Sequence, residues 1–428
     1  MAEKLAIMGG PKTVTIPFPP YPIIGADEVC AATRVVMSGQ LSEGARAGAV
    51  LQMEEEFARY FGVKHCLSFT AGTAAIAGAL FAVGVKPGTE VLTPNQTWIS
   101  AITAICHAGG TPVFCDTKPG AVHIDPKEIR RKAGAHTKAV IVTHIWGIPA
   151  EMEPILEVAR ELRLAVVEDC SHGHGAMYQG KLLGTFGDIG CFSLQASKAI
   201  IAGEGGFVIT DNKRVYQRAM IPGHHAMRMR EELTYADLKP FAEAGGYWKY
   251  RISPVEAAIA TAQLKRLDHL NAVRQANLDR LRARLKKTVP FISWPKLAPG
   301  SKQGWFRTPA FYRYDQRKVP YVLFMRAIQA EGVAAVGGYS NWYQMPLFQN
   351  LKLYSQLWPV KHVNGVEYKP LPAGALPHDE ELRQTLITIV IPATEAPMLI
   401  DQTAAAIEKV AANMAALARL QRSGRFRA

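Results

Sequence analysis

The sequence lacks the features that would assign it to a membrane or secreted class. No apolar run approaches the ~18 residues of a membrane-spanning helix, and the first ten residues hold too short an apolar run for a signal peptide. We therefore expect a soluble, cytoplasmic protein with no membrane partner. Repeats and low-complexity segments are also absent, and a content of 48% hydrophobic and 20% charged residues is ordinary for a globular protein.

Cysteine is scarce and scattered, which argues against a disulfide framework and a zinc site. The sequence also lacks a Rossmann glycine fingerprint, a Walker motif and HExxH, so dinucleotide binding, P-loop nucleotide hydrolysis and zinc proteolysis have no support. Without CxxC or Cys/His ligand spacing, the six cysteines are predicted to be reduced thiols in the core: Cys30, Cys66, Cys106, Cys115, Cys170 and Cys191.

The net charge of +13 raises nucleic acid as a partner. The basic residues are dense only along 265–287 and in the tail at 419–427, and no nucleic-acid motif with interleaved aromatic residues accompanies them. Solvated helix faces and an attraction for anionic substrates account for the charge more simply. We therefore expect no nucleic-acid partner.

Between residues 66 and 210 strand-like apolar runs alternate with helical stretches. Several strands are continuously apolar, as in a mostly parallel sheet that helices cover on both faces. The last two strands are too close for a helical crossover, which predicts that part of the sheet is antiparallel. The predicted strands are 66–69, 90–93, 112–115, 139–143, 164–168, 189–194 and 207–210, and the helices among them are 73–83, 98–107, 126–133 and 152–162.

The pattern predicts an N-terminal arm at 1–24, a large α/β domain at 25–265 and a smaller C-terminal α+β domain at 266–428. A capping box at Ser253 opens a helix of roughly 30 residues that connects the two domains. Within the smaller domain, residues 339–380 are predicted to form a long loop, and loops of that length are usually functional or mobile.

Candidate ligand-binding residues follow the strands, because open α/β sheets bind ligands at the carboxyl ends of their strands. Gly72 and Thr73 open a helix whose free N–H groups suit a phosphate, although Gly-Thr is equally common as an ordinary cap. Trp98 opens the next helix and can stack on a flat ligand or simply pack in the core. Asp169 ends a buried strand, where an acid needs a cation unless it caps a helix.

The strand at 189–194 delivers Ser193 and, five residues later, Lys198. A lysine in such a loop is most often a surface residue, and His172 is equally well explained as a satisfied loop histidine. Taken together, however, the candidates supply a hydroxyl for a phosphate, an amine for an aldehyde, an aspartate for a ring nitrogen and an aromatic ring for stacking. These are the groups that pyridoxal 5'-phosphate (PLP) requires, so the residues predict PLP as the cofactor.

Several segments add a more specific signal: Gly9-Gly-Pro-Lys12, Phe69-Thr-Ala-Gly-Thr-Ala-Ala75, His144-Ile-Trp-Gly-Ile-Pro-Ala150, Glu168-Asp-Cys-Ser-His-Gly-His-Gly175, Gly187-Asp-Ile-Gly-Cys-Phe-Ser193 with Lys198 and Gly203-Glu-Gly-Gly206, and Tyr250-Arg-Ile-Ser253. In this combination the sequence resembles the DegT/StrS family of PLP-dependent sugar and cyclitol aminotransferases. The resemblance implies the three-layer αβα fold of PLP-dependent transferases (fold type I, aspartate-aminotransferase-like). It also implies a place in aminosugar or aminocyclitol biosynthesis, for an antibiotic or a polysaccharide.

The resemblance implies a role for each candidate residue. Lys198 would form a Schiff base with the cofactor aldehyde and carry the proton during transfer, and Asp169 would keep the pyridine nitrogen protonated. His172 would lie near the phenolate oxygen of the ring. The remaining implied roles are phosphate binding by Gly72, Thr73 and Ser193 and stacking on the ring by Trp98.

One segment departs from the family pattern. Where many members have Gly-Tyr-Asn-Tyr-Arg, this chain has Tyr247-Trp-Lys249-Tyr-Arg251. In the family that asparagine reaches the cofactor phosphate from the neighbouring subunit, which implies a homodimer with shared active sites. Lys249 could replace the asparagine or face the substrate, and we favour the first. Gln195, which we also place at the cofactor, is more similar to the cyclitol and aminohydroxybenzoate branch.

We expect an aminotransferase that moves an amino group from glutamate or glutamine to a keto group of a sugar, cyclitol or related polyol. A PLP-dependent dehydratase of the same family is a second hypothesis, but those members carry histidine in place of Lys198. A non-catalytic regulatory or nucleic-acid-binding protein is a third. The sequence does not name the acceptor; Tyr339, Asn341 and Trp342 are candidate contacts, with packing as an equal alternative.

Overall fold

The computed structural model describes residues 3–244, 248–313 and 319–422. Tyr247, which belongs to the segment that departs from the family pattern, and the end of the basic tail beyond Arg422 lie outside these ranges. Among the described residues, no helix combines the length and the apolar content that crossing a membrane requires.

The larger part of the chain is built on one mixed sheet. Its strands are β1 (His65–Phe69), β2 (Glu90–Pro94), β3 (Thr111–Cys115), β4 (Thr137–Thr143), β5 (Ala165–Asp169), β6 (Met177–Tyr178), β7 (Lys181–Leu182), β8 (Ile189–Ser193) and β9 (Gly206–Thr210). Within the described ranges β6 and β7 pair with each other, and the other seven join one sheet in the order β1-β9-β8-β5-β4-β2-β3. Strand β9 is antiparallel to both neighbours and the remaining pairs are parallel, as the short spacing before β9 predicts.

Helices cover both faces of this sheet. Along β4, Val140 and Val142 belong to the core on one face, whereas Ala139 and Ile141 belong to the core on the other. This alternation confirms the three-layer αβα architecture. The helices are α1 (Ala26–Ser38), α2 (Gly48–Phe61), α3 (Gly72–Ala82), α4 (Ile99–His107), α5 (Pro126–Lys132), α6 (Met152–Glu161), α7 (Lys213–Met220), α8 (Ala226–Glu232), α9 (Phe241–Ala244) and α10 (Pro254–Leu264).

The smaller part contains α11 (Leu267–Thr288), β10 (Ile292–Ser293), β11 (Thr308–Tyr312), α12 (Tyr321–Ala330), β12 (Ala335–Gly337), α13 (Pro346–Gln349), α14 (Leu351–Leu357), α15 (Pro377–Leu382), β13 (Leu386–Ile389), α16 (Pro397–Ala412) and α17 (Met414–Arg422). Its strands form an antiparallel sheet in the order β10-β11-β13-β12. Leu5 and Val14 of the N-terminal arm are buried in its core. The domain boundaries themselves stay a prediction.

The connection between the two parts is broken rather than continuous. The capping box at Ser253 is present, with Glu256 accepting from the Ser253 N–H at 3.1 Å. The prediction of a single long helix is nevertheless wrong, because α10 ends before Arg266 and α11 begins after it. The Arg266 side chain leaves the helix surface to donate to the carbonyl of Ile23 at 2.8 Å and to pair with Glu28 at 2.6 Å.

Residues 339–380 do not form the predicted long loop. They contain α13, α14 and the start of α15, and they pack on α4 and β3 of the larger part through Ile102 and Phe114. The prediction failed because burial of large aromatic side chains outweighs the turn-like composition of the segment. These buried side chains are Tyr343, Phe348, Tyr354, Trp358 and Tyr368.

The six cysteines, all within the described ranges, are free thiols. Five of them are buried, and burial raises the pKa of the Cys170 and Cys191 thiols well above its ordinary value. Cys30 is exposed on α1, so the prediction of a core position is wrong for that residue. It lies on the outer side of a helix whose buried residues are Glu28 and Ala31.

Candidate active site

The predicted site residues converge on one cavity at the carboxyl ends of the sheet strands. The cavity has a volume of about 480 Å³ and is lined by residues from both parts of the chain. Eight of the nine predicted residues line it: Gly72, Thr73, Trp98, Asp169, His172, Ser193, Gln195 and Lys198. The position of Gly72, Thr73, Trp98, Asp169, Ser193 and Lys198 after their strands thus predicted that they meet, whereas His172 and Gln195 were assigned to the cofactor by the family resemblance.

The turn between β1 and α3 forms an anion-binding cradle. The first N–H groups of α3, from Gly72 onward, have no partner within the helix, and the positive end of the helix dipole lies at the same place. A Cβ on Gly72 would lie 2.7 Å from the Cβ of Ser193, so this close approach requires glycine. Thr73 Oγ1 donates to Ser100 Oγ at 2.8 Å. The cradle therefore offers N–H and hydroxyl donors to a phosphate.

Asp169 is the last residue of β5 and is only 4% exposed. Its Oδ1 accepts a hydrogen bond from the N–H of Ser171 at 3.1 Å. No helix begins at this aspartate in the described part of the chain, so the helix-cap alternative is wrong. A carboxylate buried this deeply requires a cationic partner, and a protonated ring nitrogen in the cavity would provide one.

Lys198 lies in the loop between β8 and β9 and is partly buried, with its Nζ 4.3 Å from the centroid of the Phe306 ring. Burial lowers the pKa of Lys198 to about 8; the negative charge of Asp169 opposes the shift, and the positive charge of Arg307 adds to it. An amine with this pKa is partly neutral near physiological pH, which is what a nucleophilic lysine requires. The surface-lysine alternative is therefore wrong.

The loop that carries Lys198 is fixed on both sides. The Lys198 N–H donates to the carbonyl of Gln195 at 2.8 Å, and the Tyr21 hydroxyl donates to the carbonyl of Lys198. The side-chain oxygen of Gln195 accepts from the N–H of Ser197 at 2.9 Å. In this chain Gln195 therefore shapes the lysine loop as well as lining the cavity.

His172 is held as a neutral ring. It stacks on Phe306 with centroids 4.0 Å apart, and its Nδ1 accepts from the backbone N–H of Trp146 at 3.1 Å. The ring proton is therefore on Nε2, which lies 3.5 Å from the hydroxyl of Tyr339. Burial, with the charge of Lys198 adding to it, lowers the pKa of His172 well below its ordinary value. His172 can thus donate a hydrogen bond to an anionic oxygen without carrying a charge.

Trp98 immediately precedes α4 and is 49% exposed at the cavity. Its ring lies 5.6 Å from that of Tyr339, which also lines the cavity, and 5.8 Å from that of Trp342. Trp342 donates to the carbonyl of Thr97 at 2.7 Å, and Asn341 accepts from a neighbouring asparagine. Of the three candidate acceptor contacts, Tyr339 thus lines the cavity. Asn341 and Trp342 instead bind residues just before Trp98 and do not line it.

Lys249 is the predicted residue that does not line the cavity of its own chain; its side chain is exposed. Its neighbour Tyr250 accepts from the N–H of Thr70 at 2.6 Å, so the Lys249 segment borders the phosphate turn. A contact of Lys249 with the cavity of a second subunit stays a prediction.

Sequence reasoning missed Phe306 and Arg307, which precede β11 and line the cavity from the smaller part of the chain. Glu204, between the glycines of the Gly203-Glu-Gly-Gly206 segment, lines it as well, and its negative charge raises the pKa of Lys198 against the effect of burial. No local pattern marks Phe306 or Arg307, because they follow no strand of the main sheet. Only the docking of the second sheet brings them to Lys198.

A sequence model of the DegT/DnrJ/EryC1/StrS aminotransferase family matches residues 22–368. The chain belongs to this family. It is 30% identical over 86% of its length to the putative L-glutamine:3-amino-2,3-dideoxy-scyllo-inosose aminotransferase of Micromonospora echinospora, of which it covers 88%. It is 34% identical over 65% of its length to the L-glutamine:2-deoxy-scyllo-inosose aminotransferase of Streptomyces lividus, covering 67% of that protein.

Among solved structures, the aminotransferase from Psychrobacter cryohalolentis superimposes with a TM-score of 0.82 at 27% identity, over 93% of this chain and all of the other. These similarities confirm the resemblance stated from the sequence motifs. The protein is a PLP-dependent aminotransferase of this family.

The cavity fits PLP on its own geometry. The free N–H groups at the start of α3 suit a phosphate, the buried carboxylate of Asp169 suits a protonated ring nitrogen, and Lys198 offers an amine of lowered pKa. When bound, PLP supplies an aldehyde that bonds to an amine and a ring that accepts electrons from the carbon that loses its proton.

The close approach at the cradle predicts the effect of one added methyl group. Gly72→Ala places a Cβ 2.7 Å from that of Ser193, so the turn must move. We expect the affinity for PLP to fall about tenfold or more, measured by titrating cofactor-free protein. Gly134→Ala is the control, because the nearest atom to its added Cβ is Glu90 Oε2 at 3.9 Å. Equal affinities of the two variants would contradict the cradle.

The lowered pKa of Lys198 predicts a pH dependence. Because the neutral amine attacks the aldehyde, the rate at which cofactor-free protein takes up PLP should rise with pH through about 8 and then level off. Since Arg307 lowers the pKa of Lys198, Arg307→Gln should move the midpoint to higher pH. Stopped-flow absorbance measures the rate. A wild-type midpoint near the ordinary 10.5, or a midpoint unmoved in the variant, would refute this electrostatic account.

Proposed function

We propose that this enzyme moves an amino group from glutamine or glutamate to the keto group of a cyclitol, a sugar or a related polyol. Two relatives, one matching 86% of the chain and the other 65%, are named as L-glutamine-dependent aminotransferases of inososes. Their names support this donor and this class of acceptor. A product of this kind belongs to aminocyclitol or aminosugar biosynthesis.

The observation that carries the proposal is the meeting of Lys198 and Asp169 in one cavity with an anion cradle. With PLP bound, Lys198 Nζ would hold its aldehyde and, once the amine of the donor has displaced that nitrogen, would be free to accept and return the proton of the substrate carbon. Asp169 would keep the ring nitrogen protonated, and the cradle at Gly72 would hold the phosphate. The Nε2–H of His172 would donate to the ring oxygen.

The remainder of the cavity suits a hydroxylated, uncharged acceptor. Trp98 and Tyr339 present aromatic faces against which the C–H groups of a polyol ring can pack. Ser100, Thr143 and Ser171 add hydroxyl groups to the lining, which can exchange hydrogen bonds with those of the acceptor. Rejection of unsubstituted ketones then follows from polar groups left unpaired.

The alternatives from the sequence are less well supported. A dehydratase of the family would carry histidine at the position of Lys198, whereas this chain presents a lysine of lowered pKa to the cavity. A non-catalytic regulatory protein is set aside because the chain belongs to a family of enzymes.

We further propose that the enzyme works in the cytoplasm as a homodimer, with Lys249 reaching the cofactor phosphate of the second subunit. A group of exposed apolar side chains on and just after α1 supports a second copy as partner, since an apolar patch exposed at a protein surface often marks an interaction site. This group consists of Val29, Val36, Met37 and Leu41, which are 53–83% exposed. Lys249 is exposed and next to the phosphate turn, as a residue that serves the second subunit would be.

The proposed reaction predicts a visible absorption band that the amino donor removes. The purified holoenzyme should be yellow with a violet absorption band that disappears on addition of glutamine or glutamate and returns with the correct keto acceptor. Lys198→Ala should lower turnover by about a thousandfold or more, because the proton carrier is lost. A panel of inososes, keto-sugars and simple ketones with a fixed donor identifies the acceptor.

Lys181→Ala is the matched control for that experiment. The Lys181 ammonium also lies over a phenylalanine ring, at 4.8 Å from the centroid of Phe186, but outside the cavity. The control should keep the wild-type rate. Wild-type turnover by Lys198→Ala, or turnover of simple ketones as fast as of inososes and keto-sugars, would overturn the proposed function.

A further inference from the structure

A second cavity, of about 240 Å³, adjoins the cofactor cavity. It lies between residues 18–23 of the N-terminal arm and the segments 305–308 and 390–394, and we call it the arm cleft. Ser197 and Arg307 line both cavities, so a molecule in the arm cleft lies next to the loop that carries Lys198.

The arm cleft is open to solvent at its arm side and reaches inward to the lysine loop. Phe18 and Tyr21 are 37% and 40% exposed at its rim. The Tyr21 hydroxyl donates to the carbonyl of Lys198, which fixes the arm against that loop. The cleft therefore extends from the protein surface to the loop that carries Lys198.

The arm cleft contains a buried cation that has no anionic partner. Arg274 of α11 is 4% exposed and lines the cleft. Its neighbours are neutral: it donates to Asn271 Oδ1 at 3.2 Å, and its guanidinium lies 5.8 Å from the ring of Tyr21, whose hydroxyl it also contacts. In the described part of the chain no carboxylate lies within ion-pair distance of Arg274. Such an arrangement is costly unless an anion completes it.

Arg307 is a second cation without an anion at the junction of the two cavities. Its guanidinium lies 5.2 Å from the centroid of Phe306, the same ring that faces Lys198 Nζ. Over the described ranges no carboxylate pairs with it. Other arginines of the chain do form such pairs, as Arg228 does with Glu54 at 2.7 Å and Arg280 with Asp401 at 2.6 Å.

Two guanidinium groups in one largely apolar cleft suit a carboxylate, which the planar fork of arginine binds through two parallel hydrogen bonds. The cofactor phosphate has its own cradle at α3, formed by the other part of the chain. Of the two proposed substrates, the amino donor always carries a carboxylate, whereas a keto-cyclitol carries none. The charge of the cleft therefore matches the donor.

We propose that the arm cleft is the site that binds the carboxylate of the amino acid donor and of the keto acid it becomes, with Arg307 and Arg274 as its cations. The proposal rests on the proposed function and adds to it the residues that select the donor. Arg307, at the junction with the cofactor cavity, contacts the donor, and Arg274 extends the same positive field into the cleft.

The first test needs no variant. Glutarate is a dicarboxylate without an amino group, and glutaramide is its neutral counterpart. With the wild-type holoenzyme, glutarate should compete with the donor in the donor half-reaction, which is followed as loss of the violet band without any acceptor. Glutaramide at the same concentration should leave that half-reaction unchanged. Absence of competition by glutarate overturns the proposal.

The second test removes each cation. Arg307→Gln should raise the donor KM and the inhibition constant of glutarate about ten- to hundredfold, the effect of losing one charge-assisted hydrogen bond. Arg274→Gln should raise the same two constants by a smaller factor, because it removes a nearby positive charge and no direct contact. Measured at a pH high enough that Lys198 is neutral in the wild type and in the variants, the KM of the keto acceptor and the affinity for PLP should stay within about twofold. If Arg274→Gln does not fold, Arg274→Lys keeps the charge and should give a smaller loss in the same two constants.

Arg282→Gln is the matched control. Arg282 lies on the same helix as Arg274 and its guanidinium lies 5.0 Å from the ring of Trp294, but it lines neither cavity. The control should keep the wild-type donor KM. A donor KM within twofold of wild type in Arg307→Gln overturns the proposal, as does an equal loss for donor, acceptor and PLP, which would assign Arg307 to the phosphate or to the fold.

The outcomes also separate this proposal from the proposed function. Failure of every inosose and keto-sugar to react would refute the proposed acceptor, while the donor half-reaction and the glutarate competition would still measure the arm cleft. Normal turnover of donor and acceptor with unchanged donor constants in both arginine variants would refute the arm cleft and leave the proposed function intact.

Discussion

The active cavity depends on the balance of charge around the amine of Lys198. Burial favours the neutral amine, Asp169 and Glu204 favour the ammonium, and Arg307 opposes it again, so that the pKa settles at about 8. An exposed lysine would stay protonated at neutral pH and could not attack an aldehyde. A buried lysine without nearby carboxylates would have a pKa lower still. The nucleophile therefore requires residues from three separate regions of the chain to be held at fixed positions.

The fold holds them through the parallel register of the sheet. Strands β5 and β8 pair so that Asp169 is opposite Cys191, which places Ser193 and then the Lys198 loop beyond the same edge. Helix α3 begins at that edge, where Gly72 lies against Ser193 without a side chain between them. A one-residue shift of β8 would turn the side chain of Ser193 to the other face and separate the phosphate cradle from the lysine.

Much of this was predictable from the sequence, because the residues concerned lie directly after apolar strands whose ends share one edge. Gly72, Asp169 and Lys198 needed no knowledge of distant contacts. Arg307 could not be found in this way, since its position depends on how the second sheet docks against the first. The break at Arg266 was equally hidden, because the helical pattern of the sequence continues through it and the contacts of Arg266 with Ile23 and Glu28 are long-range.

The central claim is that Lys198 is the amine that bonds to the cofactor. Reduction of the holoenzyme with borohydride, followed by digestion and peptide mass spectrometry, locates that lysine directly. We predict the added pyridoxyl phosphate mass on Lys198 and on no other lysine. The same mass on Lys249 or another lysine, with Lys198 unmodified, would contradict the account.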